Sequence, residues 1–421
     1  MKSEREPLKR NPIKHVVPGA RVVLATALGV AACQEAVTAP GACPEYCPPE
    51  SVQLVDTVLV EAIRADSTFV GYVTPWEAAG LQLVNDPAGT GAVTASRAVM
   101  RFFAFPERLL LNAADTITAP VSSIDSFSVS ISVQARAAEA TGLELVLYRL
   151  PVTVDSTATF GDLDPFFVDS ARIAVVPVPD TLQTGTLKAV VPESAFPTFT
   201  ADGPRAAIGI ELRSTTGAFV NLGTLESNQG AELTRFVQVD SAGTAVPRKD
   251  ARVPELDTFV APPLPAAGAG VLRIGGVPAA RALMRVTLPA AARDSAAIVR
   301  ATIQLVPTEP VLGAPGDSIR ILAQAVTANF GAKSPLLIVP IDSVEIRSTV
   351  AAVGQADTIR VDVTEILRAW LVNKDLPHLL VLRAVPEGSR LSEVRAGSSA
   401  FTAARPTLHI TFVPSAEPGG S

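Results

Sequence analysis

The side chains able to do chemistry are few in this chain, and their positions decide which reactions are open to it. Among 421 residues there are three histidines (His15, His378, His409), three cysteines (Cys33, Cys43, Cys47), two tryptophans and three tyrosines. A nucleophile needs a base within reach. No Gly-x-Ser-x-Gly elbow is present, and neither His378 nor His409 has sequence neighbours suited to a triad. The nearest carboxylate pair, Asp162 and Asp164 in GDLDPF, has the make-up of a loop, or at most of a structural calcium loop. The reading is non-catalytic, with no cofactor and no metal site.

Recognition is better supplied. Tyr72 and Trp76, in GYVTPW beside a proline turn, can stack on a sugar ring if exposed. Packing in a core or under a lid uses the same residues equally well. Arg101 and Arg285 alternate with apolar Met100/Phe102 and Met284/Val286, and Lys188 and Arg360 occupy matched places. Outward arginines hold carboxylates such as uronates through bidentate bonds. A solvated sheet face presents the same pattern.

These positions match because the chain repeats. RAVMR (Arg97 to Arg101) returns as RALMR (Arg281 to Arg285), and other landmarks recur in the same order. Asp56-Thr57 is answered by Asp257-Thr258, and Asp169-Ser170 by Asp342-Ser343. Thr186 to Val190 is answered by Thr358 to Asp362, Ala207 to Leu212 by Leu379 to Ala384, and Glu232 to Val237 by Leu408 to Val413. The offset falls from 201 at the Asp-Thr pair to 184, 173 and 172. A duplicated β module diverges in this way, keeping strands and resizing loops.

The elements that carry the landmarks have period two. Phe127, Val129, Ile131 and Val133 alternate with polar residues, and Leu143/Leu145/Leu147 and Ile359/Val361/Val363 do the same. Helical periodicity is confined to Thr364 to Leu371, where Thr364 is expected to cap and Trp370 to plug the core; PESAFPTF (Pro192 to Phe199) stands at that place in the first copy. The fold class expected is all-β, two tandem antiparallel β-sandwiches with jelly-roll-like topology. The expected division is a leader over 1–32, a tether over 33–51, copy one over 52–239, a linker over 240–254, copy two over 255–414 and a tail over 415–421.

Six basic residues precede the apolar run Val22 to Ala32, which ends in Val30-Ala31-Ala32-Cys33. A basic start, a short apolar core and small residues before the cut make a secretory leader. The box resembles a bacterial lipobox, which implies diacylglycerol on Cys33 and a membrane partner through that lipid alone. The expected address is the bacterial envelope, and Gln34 after the cysteine fits the outer membrane if there are two. Parity then leaves Cys43 and Cys47 to pair across three residues in an oxidising compartment. Removing 1–32 takes away six basic and two acidic residues and leaves 29 against 39, a net charge of −10. Nucleic-acid binding, which needs a basic field, is excluded on that count.

Copy two further resembles the DNRLRE-type surface modules, also classed as family-96 carbohydrate-binding modules. The resemblance rests on Asp257-Thr258, Leu272 to Gly276, Arg281 to Val286, Ala301 to Leu305, Val361 to Thr364 with Trp370, Phe401, and Pro406 to Ile410. Copy one follows it more weakly, with an insertion near Tyr72 and Trp76. The family's naming hexapeptide is absent. What the resemblance implies is a β-sandwich surface protein that binds acidic polysaccharide or acts as an adhesin. The alternative from the same residues is a structural or assembly lipoprotein with envelope-protein partners.

Overall fold

A computed structural model describes residues 54–415 apart from 112–116, 193–204, 296 and 339–346. The leader, the tether with Cys33, Cys43 and Cys47, most of PESAFPTF, Asp342-Ser343 and the end of the tail lie outside the described residues. Residues 54–421 form one compact unit of the chain.

The first sandwich is built from alternating strands whose apolar faces meet. One sheet contains β3 (Gly80–Asn85), β6 (Thr118–Arg136), β11 (Ala218–Gly223), β12 (Glu232–Ser241) and β13 (Thr244–Arg252), in the order β13-β12-β6-β11-β3. The short β5 (Arg108–Leu110) and β9 (Gly185–Val191) also pair with β6. The facing sheet contains β4 (Arg97–Phe102), β7 (Leu143–Leu150), β8 (Arg172–Val178), β10 (Ala207–Arg213) and β14 (Pro254–Val260), in the order β14-β4-β10-β7-β8. Phe127, Val129, Ile131 and Val133 meet Leu143, Leu145, Leu147 and Met100 in one core, as their alternation predicts.

The second sandwich repeats this plan. One sheet runs β19-β18-β21-β16 through β19 (Thr349–Ala352), β18 (Ser318–Ala325), β21 (Leu379–Ala384) and β16 (Ala280–Val286). That sheet continues from β16 through β15 (Val271–Gly275) to β22 (Glu393–Gly397), joined by the single pairing of Gly275 with Ala280. Facing it, β17 (Ala297–Leu305) lies between β20 (Ile359–Asp362) and β23 (Thr407–Val413), and a bridge between Pro307 and Ala396 ties β22 to this second sheet. The fold class is therefore all-β, with two tandem antiparallel sandwiches.

Strand register shows the repeat residue by residue. Met100 lies opposite Ile208 and Met284 opposite Leu380, so RAVMR and RALMR occupy equivalent strands with both methionines buried. Lys188 lies opposite Ser130 and Arg360 opposite Gln304, again in matched strands. Glu232 and Thr407 lie opposite those same two residues, which slides the last landmark by one position. The slide follows from burial, because it is Leu233 and Leu408 that face the cores and a one-residue slip would turn them out.

Two expected boundaries are corrected. The stretch 240–254 is not a linker: Ser241 and Thr244 close a hairpin through Ala242 and Gly243, both at positive φ, and β13 follows. Its prolines sit where a strand tolerates them, Pro247 on the edge strand and Pro254 at the first residue of β14. Residues 55–70 do not belong to the first sandwich. They form β1 (Val55–Leu59), which pairs with β23, and β2 (Ile63–Val70), which pairs with β16. In the first sandwich β13 and β14 occupy the corresponding places, beside β12 and β4. Each module thus needs a closing pair of strands, one on each sheet. Module 1 (β3 to β14) has its pair at the end of its own sequence. Module 2 takes its pair from residues 55–70, which precede module 1 in sequence. Asp66-Ser67 in β2, opposite Met284 and Leu283, is consequently the counterpart of Asp257-Thr258, opposite Met100 and Val99; Asp56-Thr57 is not.

The modules also share buried polar groups. Gln82 of module 1 donates to the Asp317 carboxylate at 2.7 Å and accepts from the Leu391 N–H at 2.6 Å, while Ser392 donates to the same carboxylate at 2.8 Å. Leu391 and Ala314 join the module 1 core. Free independent domains do not share a core in this way.

The longest helix among the described residues, α1 (Thr364–Val372), buries Ile366, Leu367 and Trp370 as its spacing predicts. Thr364 is not its cap. Its hydroxyl is engaged with the backbone of Ala301 on β17, and the Asp362 carboxylate accepts the Thr364 N–H at 2.9 Å.

Candidate functional site

The residues singled out for recognition do not converge. Met100 and Leu187 face the module 1 core from opposite sheets, so Arg101 and Lys188 point from opposite outer faces. Arg101 is half-buried, bonded to Glu255 at 2.6 Å and to the carbonyl of Val154. Lys188 is exposed with its ammonium 5.8 Å from the Phe236 ring centre, and Arg285 and Arg360 are exposed. Trp76 is exposed in a short turn at Pro75–Glu77. Tyr72 lies 4.8 Å from the guanidinium of Arg281, which is itself bidentate to Glu387 at 2.7 Å. The arginine that meets aromatic rings is thus the first of each RAxMR, since Arg97 covers Phe160 and Phe167 at 4.2 and 4.3 Å.

The remaining sequence candidates have structural partners. Asp162 caps a helical turn with Thr159, and Asp164 pairs with Arg97 at 2.5 Å. His378 stacks on Trp370 at 4.9 Å, and burial pushes its pKa below the usual value. His409 meets Asp56 at 3.1 Å on a half-exposed strand face. Among the described residues no group of three or more His, Cys, Asp or Glu is placed to hold a metal ion, and no helix is long and apolar enough to cross a membrane.

The site missed by sequence reasoning lies between the sheets of module 2. A cavity of about 530 Å³ opens there, in the range that takes a small ligand. Its apolar wall is Ala323 and Ala325 of β18 with Val363, Ile366 and Ala369 at the start of α1. Its mouth carries Arg300, Arg347 and Arg368 against Asp362 and Glu365. Arg368 is held by Glu365 at 2.6 Å and by the carbonyls of Ile298 and Val299. Arg347 lies 3.9 Å from Asp362. Arg300 is exposed; its guanidinium makes no close ion pair among the described residues, and its charge acts on Asp56 of β1, one strand away across Thr411. Three guanidiniums and two carboxylates line the mouth, with Asp56 the further acidic group that Arg300 acts on.

Register shows that one wall of this space carries smaller side chains than the matched positions of module 1. Ile210 and Leu382 are counterparts, and they lie opposite Leu147 and Ala323; one step along, Ile208 and Leu380 lie opposite Arg149 and Ala325. Where module 1 places a leucine and an arginine, module 2 has two alanines. The smaller side chains leave room along the β18 wall of the cavity. Matching LELVLYRL (Leu143–Leu150) to SIRILAQA (Ser318–Ala325) exposes this signal, which the stronger RAxMR match obscures.

No family model matches the chain, and no significant match appears among curated proteins. The solved structure titled BspA_C_WT is similar at 10% sequence identity and a TM-score of 0.17, spanning 80% of this chain and 92% of its own, a likeness that carries no inference.

Proposed function

We propose that the chain is a non-catalytic lipoprotein of the bacterial envelope or cell surface, displaying two sandwich modules of which the second binds a carboxylated saccharide. It would act as a binder of acidic polysaccharide or as an adhesin. The observation that carries this reading is the cavity with an exposed Arg300 at its mouth. A guanidinium recognises a carboxylate by two parallel bonds, while the alanine wall accepts the apolar face of a ring. The order of residues shared with DNRLRE-type modules points the same way, and the address rests on Val30 to Cys33.

Titration of residues 54–415 with uronic-acid oligosaccharides is expected to give saturable binding that neutral oligosaccharides do not. Arg300→Ala should weaken it about tenfold or more, the worth of one charge-assisted contact. Ala323→Leu, which restores the side chain of module 1, should abolish it with the urea midpoint kept. Equal binding by both variants and the parent would overturn the site. For the address, Cys33→Ala should yield protein that neither incorporates labelled palmitate nor partitions into detergent; a labelled mutant removes the lipobox reading.

A further inference from the structure

The two closing pairs are alike in chemistry as well as place. In module 1 the carboxylate of Asp257 on β14 accepts the N–H of Leu225, two residues beyond the end of β11, at 3.1 Å. In module 2 the carboxylate of Asp66 on β2 accepts the N–H of Ser399, two residues beyond the end of β22, at 2.6 Å, and its hydroxyl at 3.1 Å. One latch is therefore built twice, on strands that reach their modules by different routes. β13 and β14 are joined directly to the module they close. β1 and β2 are joined to module 2 only through the whole of module 1.

Contacts of the second pair are extensive. β1 matches five residues of β23 and β2 matches seven of β16. Ala62 and Ile63, at the corner between the two strands, are buried in the module 2 core, and Val55 and Leu59 pack against it. Without this segment β16 and β23 become open edges at the mouth of an apolar core, the arrangement that captures extended peptide.

We propose that module 2 is a strand-accepting site whose ligand is the segment 54–70, held without covalent help from that module, and that the site takes the same segment from a second copy of the chain. Specificity comes from Ile63 and Ala62 filling the core, and from Asp66 meeting Ser399. Affinity comes from two backbone ladders.

The test uses the full chain with a protease recognition sequence inserted after Gly71, an exposed residue at φ +94° with open space around it. After cutting under native conditions, the residues before the cut should stay with the body through gel filtration. A fluorescent peptide of residues 54–70 should then displace them over time, whereas the uncut chain should take up little. Peptides carrying Ile63→Asp or Asp66→Lys should bind about tenfold or more weakly, since each buries an unpaired charge or removes the latch. Three results would overturn the proposal: loss of the cut segment with an unchanged urea midpoint for the body, equal labelling of cut and uncut chains, or equal binding of parent and substituted peptides.

Discussion

Replacing Glu393 with alanine should lower stability by about 3 to 5 kcal/mol, the usual penalty for leaving a buried ion without its partner. Glu393 is fully buried on β22 and is shared by two arginines. Arg273 reaches it at 2.6 to 3.1 Å, and Arg395, 2% exposed, at 2.6 Å. Glu309 also meets Arg395, at 3.1 Å, but is itself well exposed and compensates poorly. The double change Glu393→Leu with Arg395→Met should cost less than Glu393→Ala alone, because it removes the fully buried charge of Arg395 along with its partner and leaves only Arg273, whose side chain is part-exposed. Urea midpoints of the three proteins decide the matter. A single-substitution cost below about 1 kcal/mol, the value of an exposed pair, would show that water reaches this triad.

Asp257→Asn should act in the opposite direction and only at neutral pH. Burial, less offset by the Leu225 N–H than it is large, together with the nearby Glu226 charge, pushes the Asp257 carboxyl up to about 6 from its ordinary 3.8. A folded pKa above the unfolded one means that the folded state binds the proton more tightly. The parent therefore has its full stability below pH 4 and loses it as pH rises through 6, by about 2 to 3 kcal/mol at 1.36 kcal/mol per pH unit. Asparagine keeps an oxygen for Leu225 and never ionises. Expected is a higher urea midpoint than the parent at pH 7.5 and a difference that closes by pH 4. A constant difference across that range would mean that Asp257 is ionised in the fold at all these values.

Alternation made much of each module legible, because a half-buried strand has to place Phe127, Val129, Ile131 and Val133 on one face. The equivalence of Met100 with Met284 was legible for the same reason: a strand that keeps its neighbours keeps its pattern. Partner choice was not. The residues of β1 and β2 read as strands, but nothing in their spacing says which sheet they join, and Asp56-Thr57 imitated the Asp-Thr landmark more closely than Asp66-Ser67 did. The stretch 240–254 misled because Pro and Gly mark linkers and hairpins alike, and only the pairing of Ser241 with Thr244 separates the two. The cavity escaped because one of its walls is made of small side chains at Ala323 and Ala325, and an alanine in a strand announces nothing until Leu147 and Arg149 stand beside it.

Val55 lies opposite Phe412, so the first and last strands of the folded body sit about 5 Å apart at one edge. Joining those ends and reopening the chain between β2 and β3 would give a circular permutant in which both modules are contiguous, β3 to β14 and then β15 to β23 followed by β1 and β2. The repeating unit of this protein is therefore a sandwich core followed by its closing pair. In that frame residues 55–70 are the closing pair of the second unit, placed ahead of the first.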